Sequence, residues 1–215
     1  MAGKAGLYWL DGRGWIVLAG GGRDAVRAHA LSVAAADGGV AYVAVDDAAA
    51  AERLMLNLDD LGAPSGYLVN VRAEDAATVY DRLAEASVIV IGDLADVETL
   101  SARLGGAAAA GMRAAFEHGA VVLAEGAGAA ALGAWVAAAD GELIPGLGWL
   151  EHALVLPGAV SAGGSEAARA ALQAQPAALA VGLGAGSALA LGPDGEVESW
   201  GEGQVTVVLG AQYGG

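Results

Sequence analysis

Val121-Val122-Leu123-Ala124-Glu125-Gly126-Ala127-Gly128-Ala129-Ala130 is an apolar run that stops in small residues and resumes as a helix former. That order predicts strand, tight turn and helix, the geometry of a nucleophile elbow, in which a sharp turn exposes the side chain at its tip. Small neighbours permit such a turn because they let backbones approach closely. The tip here is Gly126, which has no side chain with which to attack a substrate.

Upstream, short apolar runs alternate with stretches of helical periodicity. Trp15 to Ala19 predicts a buried strand, stopped by Gly20-Gly21-Gly22, and Arg23 to Ala36 a helix with Val26, Ala30 and Val33 on one side. Val40 to Val45 is a strand, Asp46-Asp47 supplies an N-cap, and Ala48 to Leu61 is a helix closed by Gly62. Gly66 to Val71, Ala73 to Ala86, and Ser87 to Ile91 continue as strand, helix, strand, the last ending at Gly92-Asp93. Asp96 to Leu104 and Ala107 to His118 are helices that lead into the elbow strand.

This alternation predicts an α/β fold, a flavodoxin-like doubly wound and mostly parallel sheet with helices on both faces. Beyond the elbow, Glu142 to Leu150 reads as loop, Ala153 to Leu156 as strand and Ser165 to Gln173 as helix. Leu179 to Leu183, Ala188 to Leu191, Glu196 to Trp200 and Val205 to Leu209 read as closing strands, with Pro193-Asp194-Gly195 as an antiparallel hairpin turn. Residues 1–215 are expected to form one domain, with 1–14 as an N-terminal arm too short in apolar residues for a signal peptide.

Composition narrows the function. A net charge of −15 opposes binding to a phosphate backbone, so no nucleic-acid partner is expected. The single lysine, Lys4, leaves none for a Schiff-base centre, a Walker A loop or a polybasic membrane patch. Cysteine is absent, which removes disulfides and thiolate chemistry and fits a cytoplasmic protein. The uncharged stretch from Pro176 to Pro193 is interrupted by glycines and predicts two short strands with a turn; no membrane partner is expected.

Groups at the carboxyl ends of parallel strands line the binding crevice of such a sheet. Gly21, Gly22, Arg23, Gly92, Asp93, Glu125, Gly126 and Ala127 are therefore the expected crevice residues. Asp93 has a plainer role open to it, capping the helix near Asp96, and Glu125 a plainer one beside a helix dipole. Gly20 to Ala25 also fits the glycine pattern of a dinucleotide turn, with Asp46 or Asp47 placed for a ribose, yet Gly126 to Ala131 fits it equally. His29, His118 and His152 are too scattered for a metal site and read as structural, and Ser165 reads as a helix cap. No cofactor and no metal are expected.

The Gly-Gly-Gly turn, Gly92-Asp93-Leu94, Ala124 to Ala129, Gly146-Leu147-Gly148-Trp149-Leu150 and Val181 to Leu191 together resemble peptidase family S51, which includes dipeptidase E and cyanophycinase. The resemblance covers Trp15 to Leu209 and implies a fold similar to class I glutamine amidotransferases, with an elbow serine activated by a histidine. It places the serine position on Gly126 and the histidine position on Gly158, within Leu156-Pro157-Gly158-Ala159. An acidic pair found in cyanophycinase-like members falls on Gly184-Ala185, and the region of the triad acid on Asp140 or Glu142.

With nucleophile and base both replaced by glycine, no acyl-enzyme is expected at the elbow, because loss of either group already costs orders of magnitude in rate. The expectation is an S51-like protein without serine-peptidase activity that binds a small peptide-like or amino-acid-like ligand, with Glu125 favouring a positively charged group on it. A homodimer is the expected assembly. The alternatives are a hydrolase or dipeptidase working by a substituted mechanism, and a nucleotide-binding protein using the Gly20 to Ala25 turn.

Overall fold

The computed structural model describes residues 2–4, 6–35, 37–45, 48–93 and 95–213, with the side chains of 2–4 left aside. The N-terminal segment forms β1 (Ala2–Lys4) and β2 (Leu7–Trp9) before the first long strand, β3 (Trp15–Ala19). There follow α1 (Asp24–Ser32), β4 (Val40–Ala44), α2 (Ala48–Asp60), β5 (Gly66–Asn70), α3 (Ala76–Ala84) and β6 (Val88–Ile91). Then come α4 (Val97–Arg103), α5 (Ala107–Glu117), β7 (Val121–Glu125), α6 (Ala127–Ala131), β8 (Trp135–Ala137), β9 (Leu143–Pro145), β10 (Leu150–Glu151) and β11 (Ala153–Pro157). The chain closes with α7 (Glu166–Ala174), β12 (Leu179–Leu183), β13 (Ser187–Leu191), β14 (Val197–Gly201) and β15 (Val205–Leu209).

The main sheet has seven strands in the order β14-β13-β3-β7-β6-β4-β5. The β3-β7-β6-β4-β5 portion is parallel throughout, and β13 and β14 add an antiparallel hairpin at one side. The period of two along each central strand divides its side chains between two cores. Ile16, Leu18, Ile89, Ile91, Val122 and Ala124 face one cluster, which also holds Val79, Leu83, Leu100, Met112 and Phe116 from α3, α4 and α5. Val17, Ala19, Val88, Val90, Val121 and Leu123 face the other, under Val26 and Ala30 of α1 and Ala51, Leu54 and Leu58 of α2. The doubly covered, mostly parallel sheet is thus the observed architecture, and it explains why β4, β6 and β7 read as unbroken apolar runs.

A second sheet, ordered β15-β12-β11-β8-β9, packs Leu179, Val181, Leu183, Ala153 and Val155 into the larger core. The remaining three strands, β1-β2-β10, form a small antiparallel sheet. Two expectations change here. The N-terminal arm forms the antiparallel pair β1-β2, with β2 tied to Leu150 and Glu151 and with Trp9 and Trp149 buried, and the 142–150 loop contains β9 and the start of β10. Strands of two or three residues carry no readable periodicity, and pairing partners far along the chain define them.

Most helix boundaries moved inward by a turn or less. Asp75 caps α3 through Ala77 and Thr78 amides at 3.1 Å, Asp96 caps α4 through the Thr99 amide at 2.8 Å, and Ser165 caps α7. Asp46, Asp47 and Leu94 lie outside the described residues, so the N-cap expected for α2 does too. His29 stacks on Trp200 at 4.0 Å, His118 Nδ1 meets the Ala114 carbonyl, and His152 lies beside Trp135; all three have structural surroundings. Among the described residues no helix is long and apolar enough to cross a membrane.

Candidate functional site

Strand β7 is buried along its whole length and turns at Gly126, with φ 54° and ψ −125°, directly into α6. The turn is clamped from below by the Gly126 amide, which donates to the Ala19 carbonyl at 3.0 Å. The elbow geometry is therefore intact without a side chain at its tip. The space above it belongs to another residue. A Cβ built on Gly126 would stand 2.6 Å from Asp93 Cβ and 2.7 Å from Asp93 Oδ1, closer than real Cβ contacts allow. Asp93 Oδ1 also accepts the Ala127 amide at 2.9 Å. In a nucleophile elbow that amide, one residue past the tip, is an oxyanion-hole donor. Asp93 does not cap α4, since Asp96 fills that role; its carboxylate reaches across to the elbow and occupies it.

Glu125, the last residue of β7, is 3% exposed and was expected to offer its charge to a ligand. Its charge is already met. Arg27 Nε donates to Oε1 at 2.8 Å and an Arg27 terminal nitrogen to Oε2 at 2.7 Å, a bidentate pair. The other terminal nitrogen of Arg27 bonds Asn57 Oδ1, and Asn57 donates to Asp24. The hydrogen bond to Glu125 holds the Arg27 guanidinium above its ordinary pKa, against the lowering effect of burial. Glu125 and Arg27 form a neutral floor joining the end of β7 to α1.

Above that floor lies a cleft of about 450 Å³ at the carboxyl ends of β3, β6 and β7, lined by Gly22, Arg27, Ala50, Arg53, Leu54, Asn57, Gly92, Asp93 and Glu125. It gathers Gly22, Gly92, Asp93 and Glu125 from the expected crevice. Gly126 and Ala127 line neither this cleft nor its neighbour, and Gly21 is likewise absent from both. Arg23 lines the neighbouring cleft of about 650 Å³ instead. Two charged groups in the first cleft have no partner among the described residues: the Arg53 guanidinium and Asp93 Oδ2.

Arg27, Arg53 and Asn57 were not anticipated from the sequence. Ala50, Arg53, Leu54 and Asn57 fall at i, i+3, i+4 and i+7 on α2, so one face of a helix carries them into the cleft. That stripe was the available signal. The glycines of the first turn have intramolecular reasons. A side chain on Gly20 would run into the Leu183 and Gly184 carbonyls, and one on Gly22 into the Arg27 guanidinium and Glu125.

Gly158 follows β11 with φ 78°, and a Cβ built there would meet nothing within 4 Å. Its amide donates to the Leu183 carbonyl at 2.8 Å, and Leu183 borders Gly20. Asp140 accepts the Glu142 amide in the exposed turn between β8 and β9, and neither lines either cleft. Among the described residues no three His, Cys, Asp or Glu side chains converge as a metal site requires.

No protein-family model and no curated protein sequence matches the chain. Solved structures do match its fold. A peptidase from an acI-B1 actinobacterium superposes with a TM-score of 0.64 at 16% identity, covering 91% of this chain and 98% of that one. A putative peptidase E protein from Listeria monocytogenes EGD-e superposes with a TM-score of 0.61 at 12% identity, covering 88% of this chain and 98% of that one. The chain has the fold of these peptidases.

Proposed function

We propose that this peptidase-fold protein performs no serine-type peptide hydrolysis and that its first cleft binds a small zwitterion, an amino acid or dipeptide. The observation that carries the reading is the Asp93 carboxyl group at the elbow tip, in the volume a nucleophile's side chain would need and on the amide an oxyanion would use. Glycine at 158, where the resemblance places the histidine, supports it, because an elbow without its base loses activation as well.

The ligand class follows from the two unpartnered charges. Arg53 is suited to a carboxylate, and Asp93 Oδ2 to an ammonium group, while the Glu125–Arg27 pair contributes shape without net charge. A purely cationic ligand would leave Arg53 unmet. Amino acids, dipeptides and amidated or acetylated controls, titrated into the full chain in a thermal unfolding assay, test this. A zwitterion present at about 100 times its Kd raises stability by about 2.7 kcal/mol, and blocking either terminus abolishes the shift.

Hydrolysis is checked in parallel by amine release from aspartyl and other dipeptides. Turnover by the wild type that disappears in Asp93→Asn would replace this reading with a substituted carboxylate mechanism.

A further inference from the structure

The outer strands of the two larger sheets are β5 and β14 in one, β9 and β15 in the other, and an outer strand presents backbone groups that its own sheet leaves unpaired. Three of these edges carry a feature that discourages a further strand. The Asn70 amide of β5 is taken by the Glu74 carboxylate at 2.8 Å, β14 carries Glu198, and β9 ends in Pro145. β15, Val205-Thr206-Val207-Val208-Leu209, has neither charge nor proline, and it pairs with β12 along its whole length without a bulge.

The hydrogen bonds at both ends of that pairing give its phase. The Gly210 amide donates to the Ala178 carbonyl at 2.8 Å and the Gly184 amide to the Gln204 carbonyl at 2.9 Å. The even-numbered residues of β15 therefore face β12, and the amides and carbonyls of Val205, Val207 and Leu209 point outward. None of these outward groups has a partner among the described residues. The side chains of the same three residues continue the face on which Leu183, Val181 and Leu179 enter the core, and Val207 and Leu209 are 48% and 45% exposed. Apolar side chains beside an open row of donors and acceptors form a template for one more strand.

Charge and symmetry select the occupant. At a net charge of −15 two copies repel over most of their surface, but no residue from Gly203 to Tyr213 is charged. The edge is also its own complement. A two-fold axis at Val207 sets each Val207 opposite its counterpart and each Val205 opposite a Leu209, and every one of these pairs exchanges both backbone hydrogen bonds. We propose that β15 pairs antiparallel with the β15 of a second copy, joining two five-stranded sheets into one across a homodimer. No residue of β15 lines either cleft, so this interface stands apart from the zwitterion site.

Light scattering from the full chain over a concentration series tests the pairing, with a mass that rises from 20.9 kDa toward twice that value. Val207→Lys sets like charges face to face across the axis and weakens association by about a hundredfold, as does Val207→Asp. Mixing the two variants restores the dimer, because the axis then brings opposite charges together. Leu56→Lys, at an exposed apolar residue of α2, leaves the mass unchanged. In the wild type, hydrogen exchange at the Val205, Val207 and Leu209 amides slows as concentration rises, a readout that needs no variant. A monomer at every concentration overturns the proposal. So does a dimer that Val207→Lys leaves intact, or a pair of variants that fails to associate on mixing.

Discussion

Gly126 and Gly158 look alike in the sequence, each standing where the family resemblance places a catalytic side chain, but their surroundings are opposite. At Gly126 the space above the Cα is taken by the Asp93 carboxyl, while at Gly158 a Cβ would meet nothing within 4 Å. Both have positive φ, at 54° and 78°, so both carry backbone strain for any other residue. Only one is crowded. Glycine at 126 is required by a neighbour, and glycine at 158 only by its own backbone.

The largest effect is expected just beneath the crowded site. Glu125→Ala leaves the Arg27 guanidinium without its bidentate partner and should cost about 3–5 kcal/mol in denaturant unfolding. Gly126→Ser adds steric overlap with Asp93 to the strain of a positive φ and should cost about 2–4 kcal/mol. Combining it with Asp93→Gly should recover about 1–3 kcal/mol relative to additivity, and a double-mutant cycle giving no coupling would break the contrast between the two glycines. Gly158→Ala should cost only about 1 kcal/mol, since backbone strain is its sole penalty.

The smallest effect is expected away from both glycines, at the caps of α3 and α4. Hydrogen bonds from Thr78 and Thr99 hold the exposed Asp75 and Asp96 carboxyls below their ordinary pKa of 3.8. A folded pKa below the unfolded one means that their stabilisation is complete above the unfolded value and is lost as pH falls through the folded one. The unfolding midpoint should therefore decline as pH drops below 3.8. Asp75→Asn with Asp96→Asn, which keeps both caps but removes their titration, should flatten that part of the decline.

The main sheet was legible because its strands are buried on both faces, so Val40 to Ala44, Val88 to Ile91 and Val121 to Ala124 stand out as apolar runs between helices. The second sheet was only half legible. Trp135 to Ala137 and Leu143 to Pro145 are strands because they pair with each other, and three residues hold no period. The elbow could be located from small residues following a strand, but its occupant could not. Asp93 is 34 positions from Ala127, and Arg27 is 98 from Glu125; nothing local to either residue encodes the meeting. Glu125 is legible as a carboxylate at a strand end, whereas its pairing with Arg27 depends on a residue across the fold.

The Asp93 carboxyl also fixes the order in which this chain can change. A hydroxyl introduced at position 126 meets an occupied space, so it becomes tolerable only after residue 93 has been reduced in size. Shrinking residue 93 first removes a single exposed hydrogen bond to Ala127 and is the milder step. Of the two mutational paths to a serine at the elbow, one begins with a loss of stability and the other nearly level. The sequence space around this protein is thus asymmetric, with a passable approach to an elbow serine from one side only.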